Sequence, residues 1–343
     1  MACTYFGRAR GFTQHYLKYP RRPSDANGTW LQQKGSGSVA LSRLPNSSVW
    51  SLEMQVLDQA QIDSFWSNGY LLLENAVPVE KIATLAVEFE GWIDESRSHT
   101  EPYGHMQDGR PRFDLEPGHT AETPAIRRVA SPIELSDAYL DVMRSCLAVD
   151  AVAQLIGPNV AFGHSKVNSK LPGTSTEVKW HQDFLFEPHT NDDMITVLYF
   201  IDEITKENGP LEVVPGSHRG PLYDHWHDGV FTGTVSNSVL EKASALRVPI
   251  LGSSGSAALM HGRTLHGSMP NLSDQPRTVF ICGYKAEDCK PLQVCHVPSI
   301  YEGEVLRGEA TNRLRCTDVE MEYPEVPTGA SFFNQQELYT VDM

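Results

Sequence analysis

The sequence predicts a mainly β protein with flanking helices, in which the helices pack on one sheet of a β-roll. Three observations carry that prediction. Short apolar runs separated by turn signals fill the chain after residue 160, which favours a sandwich or barrel. Helical periodicity is confined to the part before residue 160. That helical part is too small to bury both of its own faces, so it needs a sheet to rest on.

Residues 23–48 are rich in Gly, Ser, Asn and Pro ("GSGS" at 35–38, "PNSS" at 45–48), and residues 1–55 read as an N-terminal arm. Ordered structure is expected to start near Val56. In "LDQAQIDSFWSNGYLLLENAV" Leu57, Ile62, Phe65 and Trp66 recur at helical spacing, Gly69 supplies a stop, and "YLLLENAV" follows as a short strand. "PVEKIATLAVEFEGWIDESRS" is the best helix, with Pro78 at its start and Ile82, Leu85, Phe89 and Trp92 on one face. Another helix is expected within residues 136–156, and residues 98–124 read as an irregular polar insert. The predicted strands are "AFGHSKVNSK", "MITVLYFIDEI", "LEVVPGS", "ALRVPIL", "SAALMHG" and "RTVFICGYKAE", punctuated by "LPGTS", "KENGP", "LGSSG" and "NLSDQP". The acid-rich end, "DVEMEYPEVPTGASFFNQQELYTVDM", reads as a surface-packed or mobile extension without a functional role.

Composition narrows the function classes. The chain has 343 residues, 40% apolar, and a net charge of -15, which argues against nucleic acid as the main partner. Residues 1–43 carry seven Lys or Arg against one Asp, about +6, so the remainder holds about -21. This basic N-terminus allows organellar targeting, although its prolines and aromatics fit an ordinary arm. No run of 18 or more apolar residues occurs, so no membrane span is expected. Six cysteines without a CxxC pair read as reduced thiols and point to a cytoplasmic setting. Nothing in the sequence speaks to oligomeric state.

The chemistry gathers in "VKWHQDFLFEP", residues 178–188. On a strand, residues two apart point to the same face, so His181 and Asp183 deliver a nitrogen and an oxygen ligand into one space. "LMHGRTLHGSMPNLSDQPRTVF" offers a third ligand in His261 or His266. Two imidazoles and one carboxylate leave open positions on a metal, which favours non-haem Fe(II), while ligand type alone also allows zinc. Arg277, eleven residues beyond His266 at the start of an apolar strand, tips the balance toward iron, because a guanidinium there can take a carboxylate co-substrate bidentately.

In order and spacing, "GYLLLENAV", "WHQDF", "ENGPLEVVPGSH" and "LHGSMPNLSDQPR" resemble the phytanoyl-CoA dioxygenase family of Fe(II)- and 2-oxoglutarate-dependent oxygenases, over about Val56 to Glu287. The resemblance implies a double-stranded β-helix (jelly roll) core in residues 56–290, with 291–343 as a C-terminal extension. It implies His181, Asp183 and His266 as iron ligands and Arg277 as partner of the distal carboxylate of 2-oxoglutarate. It adds Asn168, Thr196 and Ser268 as further co-substrate contacts. The implied reaction consumes O2 and 2-oxoglutarate, releases succinate and CO2, and hydroxylates a small-molecule substrate. Desaturation, epoxidation or ring closure would use the same site, and an idle ligand-binding roll would keep it without turnover. The acidic Asp183 favours oxygenation over halogenation, since related halogenases carry a small residue there.

Other polar residues receive plainer expectations. His164 and Lys166 share the strand face of Asn168 and are substrate-pocket candidates, which would suit a carboxylate-bearing substrate. His218 in "PGSH" is expected to stabilise a turn. His225 and His227 in "YDHWHDG" read as a mobile, solvated loop over the substrate mouth. Segments 98–124 and 219–243 are the expected pocket lining.

Overall fold

The helices begin and end where local chemistry dictates. In the computed structural model, which describes residues 55–317 and 329–336, α1 (Gln59–Asn68) is capped reciprocally. Asp58 accepts from the Gln61 amide at 2.8 Å, and the Gln61 side chain accepts from the Asp58 amide at 2.9 Å. It stops at Gly69 with φ 82°, where a β-carbon would lie 2.4 Å from Nδ1 of His218. The chain enters β1 (Tyr70–Leu73) directly from that turn, and α2 (Val79–Ser96) follows Pro78 with Ile82, Leu85 and Phe89 buried on one face. Most of the expected arm, Cys3, any targeting segment and much of the acid-rich tail lie outside the described residues.

Three expectations are corrected, two of them in the first half. The polar insert contributes β2 (Phe113–Leu115), which pairs with β3 (Ile126–Ala130), so the main sheet starts well before residue 160. The helix expected within 136–156 is two helices, α3 (Asp137–Ser145) and α4 (Leu147–Ile156), broken at an extended Cys146. At the break the Ser145 hydroxyl donates back to the Asp141 carbonyl at 2.6 Å, a bond that competes with continuation of the helix.

Beyond these come β4 (Val160–Lys170), β5 (Val178–His181), β6 (Met194–Phe200), β7 (Leu211–Val213), β8 (Trp226–His227), β9 (Val230–Phe231), α5 (Asn237–Leu246), β10 (Val248–Ile250), β11 (Ala257–His261), β12 (His266–Ser268), β13 (Arg277–Ala286), β14 (Val305–Arg307) and α6 (Phe333–Gln336). The third correction falls here, because the segment expected to be a loop at 219–243 holds the β8–β9 ribbon and most of α5. That helix also takes the first residues of the predicted strand "ALRVPIL".

Two antiparallel sheets make the predicted β-roll. The larger runs β1-β11-β6-β13-β4-β3-β2, with β14 also on β4, and the smaller runs β10-β7-β12-β5. Alternation divides the large sheet's residues between two destinations. Ile195, Val197, Tyr199, Leu259, Phe280 and Cys282 face α1–α4 and form the main core with Phe65, Leu85, Val142 and Val152. Leu198, Phe200, Met260, Val279 and Ile281 point the other way and pack with Leu211, Val213 and Ile250 of the small sheet. The site lies at this second, inter-sheet layer. Among the described residues the five cysteines form no disulfide, and no helix is long and apolar enough to cross a membrane.

Candidate active site

His181 is the last residue of β5, and His266 is the first of β12, which pairs with it in register. Their ring centroids are consequently 4.1 Å apart. Asp183 opens the turn after β5, where the Phe184 amide donates to the Gly262 carbonyl at 2.9 Å. This swings the carboxylate between the rings, with its Oδ1 3.4 Å from Nε2 of His181 and 3.7 Å from Nε2 of His266.

Hydrogen bonds at the far side of each group fix which atoms face inward. Nδ1 of His181 donates to the Lys179 carbonyl at 2.7 Å, and Nδ1 of His266 donates to the Thr264 carbonyl at 2.9 Å. Both Nε2 lone pairs therefore point at the common space. The Thr196 hydroxyl donates to Oδ2 of Asp183 at 2.6 Å, which leaves Oδ1 as the free acceptor. Burial raises the Asp183 carboxyl, but His266, His181 and Lys166 outweigh it and hold the group well below the usual carboxylate range. Burial pushes the His266 imidazole down to about 4, so it is neutral at pH 7. Two imidazoles and one carboxylate converging on one face, with no fourth His, Cys, Asp or Glu in the group among the described residues, fit an iron(II) ion with open positions.

The triad opens into a cavity of about 460 Å³ also lined by Lys166, Asn168, Thr196, Ser268, Arg277 and Phe332. Arg277 is 4% exposed and donates through Nε to the Gly209 carbonyl at 2.9 Å. It makes no ion pair among the described residues, and burial pulls its guanidinium down to about 10 against the pull of Asp202. Gly209, at φ 79°, permits this approach, since a β-carbon there would lie 2.6 Å from the Met269 carbonyl oxygen. The Ser268 hydroxyl accepts from Lys170 at 2.7 Å, and Oδ1 of Asn168 is buried without a partner.

The geometry changes several expected roles. Thr196 lines the cavity, but its hydroxyl proton goes to Asp183, so it positions that carboxylate and has no donor left for a co-substrate. His164 shares the face of Lys166 yet lies outside the cavity lining and pairs with Glu187 at 3.2 Å. Neither 98–124 nor 219–243 contributes to the lining. His225 is 1% exposed and accepts from the Gln182 amide at 3.1 Å, so it braces the backbone between His181 and Asp183 from behind and is no solvated lid residue. His218 holds the Trp66 carbonyl at 3.1 Å, as a turn residue should, and His261 packs on Phe65 and Trp66 away from the triad.

Two residues have no counterpart in the sequence reading, one lining the cavity and one packed behind it. Phe332, from the tail read as functionless, stands 5.8 Å from the His181 ring and covers the cavity. Its neighbour Gln336 anchors the segment by accepting from the Lys179 amide at 3.1 Å. The other is Arg128 on β3, whose guanidinium carbon lies 5.5 Å from the Phe332 ring centre. The alternating strand "IRRVA" carries the signal for Arg128; nothing local marks Phe332.

The sequence profile of the phytanoyl-CoA dioxygenase (PhyH) family matches residues 65–279. A probable alpha-ketoglutarate-dependent hypophosphite dioxygenase from Stutzerimonas stutzeri is 33% identical over 80% of this chain and 96% of its own. The peroxisomal phytanoyl-CoA dioxygenase of Rattus norvegicus is 26% identical over 84% of this chain and 86% of its own. Among solved structures, EctD from S. alaskensis with 2-oxoglutarate and 5-hydroxyectoine has the same fold, with a TM-score of 0.58 at 21% identity over 79% of this chain and 90% of that one. The profile match and the first of these relatives together establish that the chain belongs to the phytanoyl-CoA dioxygenase family, as a 2-oxoglutarate-dependent non-haem iron dioxygenase.

Proposed function

We propose that His181, Asp183 and His266 hold the ferrous ion, that Arg277 takes the distal carboxylate of 2-oxoglutarate, and that the enzyme hydroxylates a small molecule seated beside them. The observation that carries this is the shared focus of both Nε2 atoms on Oδ1 of Asp183, at 3.4 and 3.7 Å, in the cavity that Arg277 lines. When bound, the metal supplies the O2-dependent oxidation. The chain's own residues orient and exclude. Backbone carbonyls fix the two imidazole tautomers, Thr196 turns Oδ1 of Asp183 inward, and Asn168 and Ser268 offer polar contacts along the co-substrate's length. Phe332 adds an apolar wall beside His181. The named substrate of the Stutzerimonas relative makes hypophosphite the first compound to try.

The test is Fe(II)-dependent release of succinate from 2-oxoglutarate by the purified protein, with and without candidate substrates, against His266→Ala. Metal-dependent succinate in the parent and none in the variant supports the assignment. Equal release from both refutes it.

A further inference from the structure

Arg128 and Lys166 lie on adjacent strands of the large sheet, Arg128 opposite Asn168 in the β3–β4 register and Lys166 two residues before Asn168 on the same strand face. Both are buried, at 2% and 8% exposure. Neither makes an ion pair among the described residues, and Nε and Nη1 of Arg128 are buried with no hydrogen-bond partner. Asp114, on the neighbouring strand, is taken by Arg127 at 2.8 Å and by the Ser331 hydroxyl at 2.6 Å. The Phe332 ring sits 5.5 Å from each of the two cations and so closes over both. Asp183 and Glu187 act favourably on Lys166, and Asp114 on Arg128, but none of them forms an ion pair with either cation among the described residues. A buried guanidinium with unmatched N–H groups is costly unless a partner completes it.

The charge already assigned to the site does not complete them. The ferrous ion and Arg277 together balance Asp183 and the 2-oxoglutarate dianion. Lys170, at the Arg277 end, is held by the oxygens of Ser268 and Met269. Glu187, the other carboxylate near Lys166, is engaged by His164 at 3.2 Å, so Arg128 and Lys166 still lack a bonded partner among the described residues. Space is shared too, because the same cavity must also hold the co-substrate.

Resting on the iron and 2-oxoglutarate reading above, we infer that Arg128 and Lys166 form a subsite for an anionic primary substrate, a small oxyanion such as a phosphorus oxyacid or a short carboxylate, clamped beneath Phe332 with its reactive X–H bond toward the metal. In the balanced reaction one oxygen atom of O2 converts X–H to X–OH. The other enters the new carboxylate of succinate as C1 of 2-oxoglutarate leaves as CO2. Arg128 and Lys166 bind and orient, and neither exchanges a proton in the balance.

The test uses the full chain loaded anaerobically with Fe(II) and 2-oxoglutarate, whose visible charge-transfer band reports a neighbour entering the site. Hypophosphite, proline and glycerol serve as phosphorus-oxyanion, carboxylate and neutral probes. Hypophosphite or proline should perturb the band saturably, and glycerol should not; which of the two anions responds identifies the source of the negative charge. In Arg128→Met and Lys166→Met the apparent Kd of that anion should rise about thirtyfold or more, while the Kd of 2-oxoglutarate moves by less than about threefold. Without ligands both variants should melt above the parent, because an unpaired buried charge has been removed. A matching loss of 2-oxoglutarate affinity would assign the pair to the co-substrate and overturn the inference. Lower melting of both variants, or no response to either anion, overturns it as well. Failure of the parent to form the band at all would instead remove the iron reading, and this one with it.

Discussion

The two faces of the large sheet are built from the same strands and do opposite work. On β6, Ile195, Val197 and Tyr199 face the helices, while Thr196 and Leu198 face the cavity. On β13, Phe280 and Cys282 face the helices, while Arg277 and Ile281 face the cavity. The helix-side face is apolar, and its few polar atoms satisfy one another, as when the hydroxyls of Tyr199 and Tyr284 meet at 2.8 Å. The other face carries buried cations that make no ion pair among the described residues, Arg277 and Lys166 in the cavity lining and Arg128 beside it. One face therefore stabilises the fold, and the other stores unsatisfied charge that ligands complete.

Substitutions on the two faces should separate cleanly. The largest effect is expected for His266→Ala, which should bring Fe(II)-dependent succinate release to background while circular dichroism and the melting transition stay close to those of the parent. Next is Arg277→Met, which should raise the KM for 2-oxoglutarate about hundredfold, since a carboxylate loses its buried guanidinium, with a much smaller change in KM for the main substrate. On the opposite face Phe280→Ala should cost about 3–5 kcal/mol in denaturant unfolding, and the fraction still folded should keep the parent's KM for 2-oxoglutarate. A helix-side variant that shifted KM without losing stability would break the division.

Smaller effects sharpen it. Thr196→Val should weaken iron binding about 10–100-fold by releasing Oδ2 of Asp183, and Thr196→Ser should restore it. A metal titration of the three proteins distinguishes this from a packing effect, which serine would not repair. The smallest expected effect concerns pH. Burial, and then the Arg128 charge, lower the Lys166 ammonium to about 8, against the favourable charges of Asp183 and Glu187. Below that pH the cation is present in the free enzyme; as pH rises through it the charge is lost. The kcat/KM for an anionic substrate should therefore fall above about pH 8, and Lys166→Met should flatten that limb of the profile.

Much of this was legible in the sequence because period-two alternation carries both core and site. The run His164, Lys166 and Asn168 announces a polar strand face directly, and Gly69 and Pro78 bound the first two helices where the structure has them; His181 and Asp183 do meet, but through the turn that follows β5 and not through strand alternation. Arg128 escaped because "IRRVA" places two charges side by side, which reads as solvated surface until Arg127 is found paired with Asp114 and Arg128 is found paired with nothing. Phe332 escaped for another reason: its neighbours in sequence are polar and acidic, and only the return of the chain to β5 through Gln336 brings it over the triad. His225 was misread because a histidine-rich turn looks exposed, whereas its ring is consumed by the Gln182 amide.

The account depends most on the two imidazoles and Asp183 forming one metal site that 2-oxoglutarate shares. Anaerobic titration of the protein with Fe(II) and 2-oxoglutarate, followed by visible absorption, addresses this directly. A saturable metal-to-ligand band that disappears in Asp183→Ala is the predicted result. A band of unchanged intensity in that variant would contradict it.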